Sequence, residues 1–161
     1  MWDGRTGTGG RIPLGYDVPI VTLSRLAAAL LVAGIAPAAE AACTISASGP
    51  SFGVYSPFDP APLDAAGSVT LSCTSPAMVG MGPGMSGNWQ NREMRSASNR
   101  LRYNLYVDAA RTTIWGEPGG PNDVDLPAGQ NLRVPIFGRV FALQDVVPGT
   151  YADTVMLIVH F

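Results

Sequence analysis

Residues Tyr151-Ala-Asp-Thr-Val-Met-Leu-Ile-Val-His-Phe161 read as a β-strand, and no other stretch of this sequence constrains the fold as tightly. From Val155 onward, Val155, Leu157, Val159 and Phe161 share one face, while Thr154, Met156, Ile158 and His160 share the other, the period of two that a strand imposes. Both faces are largely apolar. A strand of that kind belongs in the middle of a packed structure, with neighbours on both edges. No turn or further strand follows Phe161, so the sequence predicts that a lateral partner comes from earlier in the chain or from another molecule.

The rest of the composition agrees with a β-rich globular chain. At 161 residues, with 47% hydrophobic and 14% charged residues, the length suits one ordinary domain with a core rather than a disordered segment. A net charge of −2, and arginines that are scattered rather than clustered, exclude the electrostatic footprint of a nucleic-acid binder. Nineteen glycines and fourteen prolines punctuate short runs of Val, Leu, Tyr and Phe, which favours an all-β sandwich or barrel over a helical fold.

One segment breaks that pattern. Arg25 is followed by an apolar run to Pro37 and then by Ala39-Glu40-Ala41, a positive charge, a short hydrophobic core and a small-x-small tripeptide in the order of a secretory signal peptide. The core is short for a membrane span. Cleavage is expected after Ala41, dividing the chain into a leader and signal at 1–41 and a mature domain at 42–161. Glu40 occupies the position where lipid attachment at Cys43 would want an aliphatic residue. The stretch from Met1 to Ser24 is long for the lead-in to a signal peptide, and the expected translation start lies near Val18 or Val21.

Export sets the reading of the two cysteines. Cys43 and Cys73 would meet an oxidising compartment, where an even count points to a disulfide. Closing a 30-residue loop would contribute roughly 3.5 to 4 kcal/mol on the chain-entropy model. Two distant cysteines and the lone His160 make no metal-ligand set. Asp123 and Asp125 lack the further oxygen ligands of a calcium loop, and Gly80-x-Gly82 lacks the βαβ setting of a phosphate cradle. With one histidine, no lysine and no free thiol, the sequence predicts neither an enzyme nor a bound cofactor.

Along the mature chain, strands are expected at Cys43–Ala47, at 67–74 with Val69, Leu71 and Cys73 facing inward, and from Met78 into a long loop reaching Trp89. Further strands are expected at Leu101–Asp108 with Leu101, Tyr103, Leu105 and Val107 inward, at Thr112–Trp115 pairing with it, and at Leu132–Phe141. Residues 116–127 read as a turn-rich connection. Pro135 suggests an edge position or a bulge in its strand, since it cannot donate to a ladder.

Read in order, Cys43, Phe52-Gly-x-Tyr55, Gly67-Ser-Val-Thr-Leu-Ser-Cys73, Arg92-x-Met94, Leu101-x-Tyr-Asn-Leu-Tyr106-x-Asp108, Trp115-Gly116, Gly138-Arg-Val140 and Gly149-x-Tyr151-x-Asp-Thr-Val155 resemble the spore coat protein U domain, which also occurs in subunits of Csu-type (archaic) chaperone–usher pili. The resemblance covers almost all of residues 43–161. It implies an immunoglobulin-like β-sandwich that lacks its final strand and is completed by an extended segment from a periplasmic chaperone or a neighbouring subunit, the exchange called donor-strand complementation. On that basis Val155, Leu157, Val159 and Phe161 would line the acceptor groove; the competing reading makes them ordinary core. The implied function is a structural pilus or surface-fibre subunit, with chaperone, outer-membrane usher and other pilins as partners and the cell surface as destination.

A departure from the family pattern opens an alternative. Cleavage after Ala41 leaves only Ala42 ahead of Cys43, too little for a donor segment, so the expectation is a subunit that accepts a strand without giving one, or a secreted coat or matrix protein that does not polymerise through an usher. Met81, Met85 and Trp89, in a Gly-rich stretch, suit adaptable apolar contact and are a candidate adhesive loop; the alternative packs them over one end of the sandwich.

Overall fold

In a computed structural model of the chain, residues 40–161 are described, apart from Pro118 and Pro121; the segment expected to hold a leader and signal core falls, through residue 39, outside the described residues. The described part is an all-β sandwich of two sheets, immunoglobulin-like in its layering. The strands are β1 (Cys43–Ser48), β2 (Leu63–Cys73), β3 (Ala77–Met81), β4 (Arg92–Ser96), β5 (Asn99–Tyr106), β6 (Val124–Leu126), β7 (Gly129–Val140) and β8 (Leu157–His160). Five form one antiparallel sheet in the order β1-β2-β7-β5-β4, and three form the other in the order β6-β3-β8.

Alternation decides the core. Val69, Leu71 and Cys73 on β2, Leu101, Tyr103 and Leu105 on β5, and Val134, Ile136 and Val140 on β7 are all buried, and Val79 and Met81 on β3 face them from the smaller sheet. Cys43 and Cys73 stand directly opposite in the β1–β2 register and are joined by a disulfide across that ladder. Trp115 fills the centre of the sandwich. It follows β5 as the return of a short hairpin through the bridge of Tyr106 with Ile114, and its N–H donates to the Leu105 carbonyl at 2.9 Å.

Several expectations from the sequence are revised. β4 and β6 form in stretches with weak alternation, and β6 interrupts the connection expected at 116–127. Asn104 and Tyr106 are buried although they lie on the outward face of β5, because Asn104 bonds to Gln90 and Arg92 while the turn at Asp108–Thr113 folds beside Tyr106. Pro135 sits within β7 in the middle of its sheet, opposite Ser68 of β2. Locally the position is still an edge, because the β5–β7 ladder ends at Phe137 and leaves Pro135 with one neighbour.

The last strand differs most from its sequence signature. Ladder pairing is confined to Leu157–His160, whereas Tyr151–Met156 cross between the sheets, bridging Arg95 of β4 through Ala152 and then accepting the Gly82 N–H at the Met156 carbonyl. Apolar on both faces, β8 nevertheless forms the edge of the three-stranded sheet, paired with β3 alone.

Candidate functional site

Two glycines of the larger sheet create the site. Gly67 on β2 and Gly138 on β7 face inward, and a methyl group built on Gly67 would lie 2.3 Å from the Ser48 carbonyl oxygen, where the chain leaves β1. A methyl group on Gly138 would lie 2.6 Å from Cζ of Phe52. The chain after β1 therefore crosses the inner face of the sheet over these two positions, and Phe52 comes to rest with its ring edge-on to Tyr103 at 5.9 Å. Between Gly49 and Tyr55 this segment makes no backbone–backbone hydrogen bond among the described residues.

Opposite it runs the approach to β8. The two segments, 49–57 and 146–157, are the walls of a groove of about 1000 Å³ whose floor is the inner face of the five-stranded sheet: Val69, Met94, Leu101, Leu105, Ile136 and Val140. At one end the Tyr55 hydroxyl accepts a hydrogen bond from the Gln144 N–H at 2.7 Å, tying the walls together. Gln144 is in turn held by its side chain, which bonds both to the N–H and to the carbonyl of Arg102 at 2.8 Å and so extends the β5 edge. The groove is thus flanked by two lengths of backbone with unused pairing capacity: the outer edge of β8, which is paired with β3 on its other side, and the segment after β1.

Polar chemistry in the groove is concentrated at Tyr103 and Asp153. The Tyr103 hydroxyl donates to Oδ2 of Asp153 at 2.7 Å, and Oδ1 accepts the N–H groups of Met85 at 2.8 Å and Thr154 at 2.7 Å. Burial, reinforced by the carboxylate it bonds to, pushes the Tyr103 phenol well above its ordinary value, so it stays a donor. Behind it lies Arg92, fully buried and, among the described residues, paired with no carboxylate. Its guanidinium instead donates to the carbonyls of Met81 at 2.7 Å, Gly82 at 2.8 Å and Trp115 at 2.8 Å and to Oδ1 of Asn104 at 2.7 Å. Burial pulls the Arg92 pKa down to about 10, which still leaves it charged at neutral pH.

The residues singled out from the sequence distribute unevenly over this geometry. Val155 and Leu157 line the groove, while Val159 packs against the core beyond it, next to Val79. Phe161 does not line it: the residue lies past the last ladder pair at His160 and is 58% exposed. The candidate adhesive loop is corrected in a similar way. Met81 is a core residue at the end of β3, 4% exposed, and the Trp89 ring packs on Gly116, so Met85 alone of the three is openly exposed, at 41%. The loop itself is pinned, with the Met85 N–H on Asp153 and the Met85 carbonyl accepting from Arg95. Phe52, Tyr103 and Asp153 were not assigned to the groove from sequence, although each stands in the ordered motif set quoted above; the signal was present without a position to attach it to.

The family model described as the Spore Coat Protein U domain matches residues 27–157. Protein U of Myxococcus xanthus is 34% identical over 105 residues, covering 59% of this chain and 59% of that protein, so the chain spans less than two thirds of its length. Among solved structures, the CsuC–CsuE chaperone–tip adhesion subunit pre-assembly complex from the archaic chaperone-usher Csu pili of Acinetobacter baumannii aligns with a TM-score of 0.49 and 24% identity, covering 76% of this chain and 40% of that one.

Proposed function

The chain belongs to the Spore Coat Protein U domain family, and from that premise we propose that it is an exported structural subunit whose groove accepts an extended strand from another polypeptide. The observation that carries the reading is the open edge of β8 and the unpaired backbone of residues 49–55, standing on opposite sides of an apolar floor. A strand laid between them would pair with β8 on one side and with residues 49–55 on the other, extending the three-stranded sheet over the floor. Alternate side chains would point down onto Val69, Leu101 and Val140, and the main chain would supply the hydrogen bonds, the mode of recognition called β-strand addition. Left open, such an edge beside an apolar groove favours aggregation, which is why a holding chaperone fits the same geometry.

On this reading the partners are a periplasmic chaperone, an outer-membrane usher and neighbouring subunits, and the product is a surface fibre, with adhesion a further role. A second reading is a secreted coat or matrix protein assembled without an usher, and the family's description as a Spore Coat Protein U domain supports its coat part. Both readings use the groove in the same way.

The test is to append an alternating Thr–Val segment after Phe161 through a flexible Gly/Ser linker. Filling the groove in this way is expected to raise the thermal midpoint by at least about 10 °C, since 1 kcal/mol moves a domain of this size by several degrees. A chain that is already a stable monomer, with a midpoint unchanged by the appended segment, would show that the sandwich needs no added strand.

A further inference from the structure

Among the described residues that line the groove, Asp153 carries the one charged side chain. Its position is fixed from three directions, by the Tyr103 hydroxyl on Oδ2 and by the Met85 and Thr154 N–H groups on Oδ1. A carboxylate has about four acceptor sites, so roughly one remains unclaimed, beside a floor that is otherwise apolar. Gly84 closes the far side of Oδ2, for a methyl group built on it would collide with that oxygen. The unclaimed site is therefore confined. An open groove gives solvent access to such a site; a covering strand expels water, and an ionised acceptor without a donor becomes a specific penalty against that strand.

We propose that Asp153 reads the incoming strand: the segment that fills the groove carries, at the inward position that passes Asp153, a side chain that donates a hydrogen bond, lysine above all, while its other inward positions are apolar. This rests on the reading of the groove as a strand acceptor. The carboxylate then sets register. A strand displaced by two residues puts an apolar side chain on the carboxylate and a cation on the apolar floor, and a displacement by one residue turns every inward side chain out. Acidic side chains are excluded at the same position by like charge.

Substitution by asparagine separates reading from folding. Both N–H donors fall on the same oxygen, Oδ1, which an asparagine retains, and its amide nitrogen can donate to the Tyr103 hydroxyl oxygen. The experiment titrates the purified protein with fluorescent synthetic peptides alternating valine and threonine, in which each inward valine in turn is replaced by lysine or by leucine, and reads affinity by anisotropy. One position is expected to favour lysine over leucine by at least about tenfold, the scale of a hydrogen bond to a charged group. In Asp153→Asn that ratio is expected to fall to about one, whereas Tyr103→Phe, which frees Oδ2, keeps it or raises it. Lysine disfavoured at every position, or a ratio that survives Asp153→Asn, overturns the proposal while leaving the acceptor groove intact. A ratio lost in Tyr103→Phe and kept in Asp153→Asn would transfer the role to the hydroxyl and overturn it as well. If no peptide binds in any form, the acceptor reading falls and takes this inference with it.

Discussion

The inner face of the five-stranded sheet is apolar along its length, yet its two halves are covered by different means. Over one half lie β3 and Trp115, locked to each other and to the floor by polar groups: the Trp115 indole N–H donates to the Val79 carbonyl of β3 at 3.0 Å, and Arg92 of β4 collects three carbonyls and an amide. Over the other half lie only the walls of the groove, segments 49–57 and 146–157, joined at one end by the Tyr55–Gln144 bond. The closed half ties its carbonyls to its own donors, at Met81, Gly82, Trp115 and Val79. The open half leaves two backbones facing each other with a gap between them, and the contrast indicates where rigidity is supplied by this chain and where it is left to a partner.

That contrast predicts different failures in the two halves, and the largest belongs to the closed one. Arg92→Ala removes the donors from four buried acceptors at once and leaves a cavity where the β3–β4 seam was, so a loss of about 4 to 5 kcal/mol is expected. Chemical denaturation would measure it, and recovery of insoluble protein would agree with it. Because the guanidinium forks to several carbonyls in fixed directions, Arg92→Lys should recover only a minor part. An Arg92→Ala variant within 1 kcal/mol of the parent would show that the closed half is held by apolar packing alone, and the comparison between the halves would lose its polar side.

In the open half a smaller cost in stability should accompany a larger cost in recognition. Gly138→Ala places a methyl group 2.6 Å from the Phe52 ring, whose far end must swing away and give up its edge-on contact with Tyr103. The expected loss is about 1 to 2 kcal/mol, because the obstacle is a side chain that can move rather than backbone. The same movement shifts the wall at 49–55, so affinity for an alternating Thr–Val peptide should fall by more than stability does. A variant that loses stability and keeps full peptide affinity would mean that the wall plays no part in holding a strand.

How much of this was legible in the sequence follows the same division. The alternation of Val69, Leu71 and Cys73 and of Leu101, Tyr103 and Leu105 identifies the sheet floor, because an apolar period of two survives whichever strands become neighbours. The free edge was legible in another form: a strand apolar on both faces and yet last in its sheet is a conflict between pattern and neighbourhood, and the groove lies at that conflict. The clamp was not legible, since Arg92 in Arg-Glu-Met-Arg resembles any exposed arginine until β3 and Trp115 are brought to it. Nor was the exclusion of Phe161, for periodicity assigns a face without saying how far along a strand the ladder runs. Met81 was misread for a related reason, as the glycines around it suggested a loop where the end of β3 continues the core.

The outer surface of the larger sheet provides the smallest test, and a control on both halves. Asp64 on β2 forms a two-pronged pair with Arg139 on β7, at 2.7 and 2.8 Å, and meets Arg111 at 3.2 Å, away from the clamp and the groove alike. The hydrogen bond from Arg139 holds the Asp64 carboxyl below the usual carboxylate range, with a further contribution from the Arg111 charge. A folded-state pKa below the unfolded one means that the unfolded chain takes up the proton first, so the stabilisation is complete above the ordinary aspartate value and is lost as pH falls through the folded-state value. The pair is partly exposed, so Asp64→Asn should cost no more than about 0.5 to 1 kcal/mol at neutral pH. Parent and variant should converge in stability as pH drops below about 4, the ordinary aspartate range, and 1 M salt should narrow the gap at pH 7. Peptide affinity should be untouched. If Asp64→Asn instead weakens peptide binding, the outer face is coupled to the groove through β7, and the two halves of the sandwich would have to be treated as one mechanical unit.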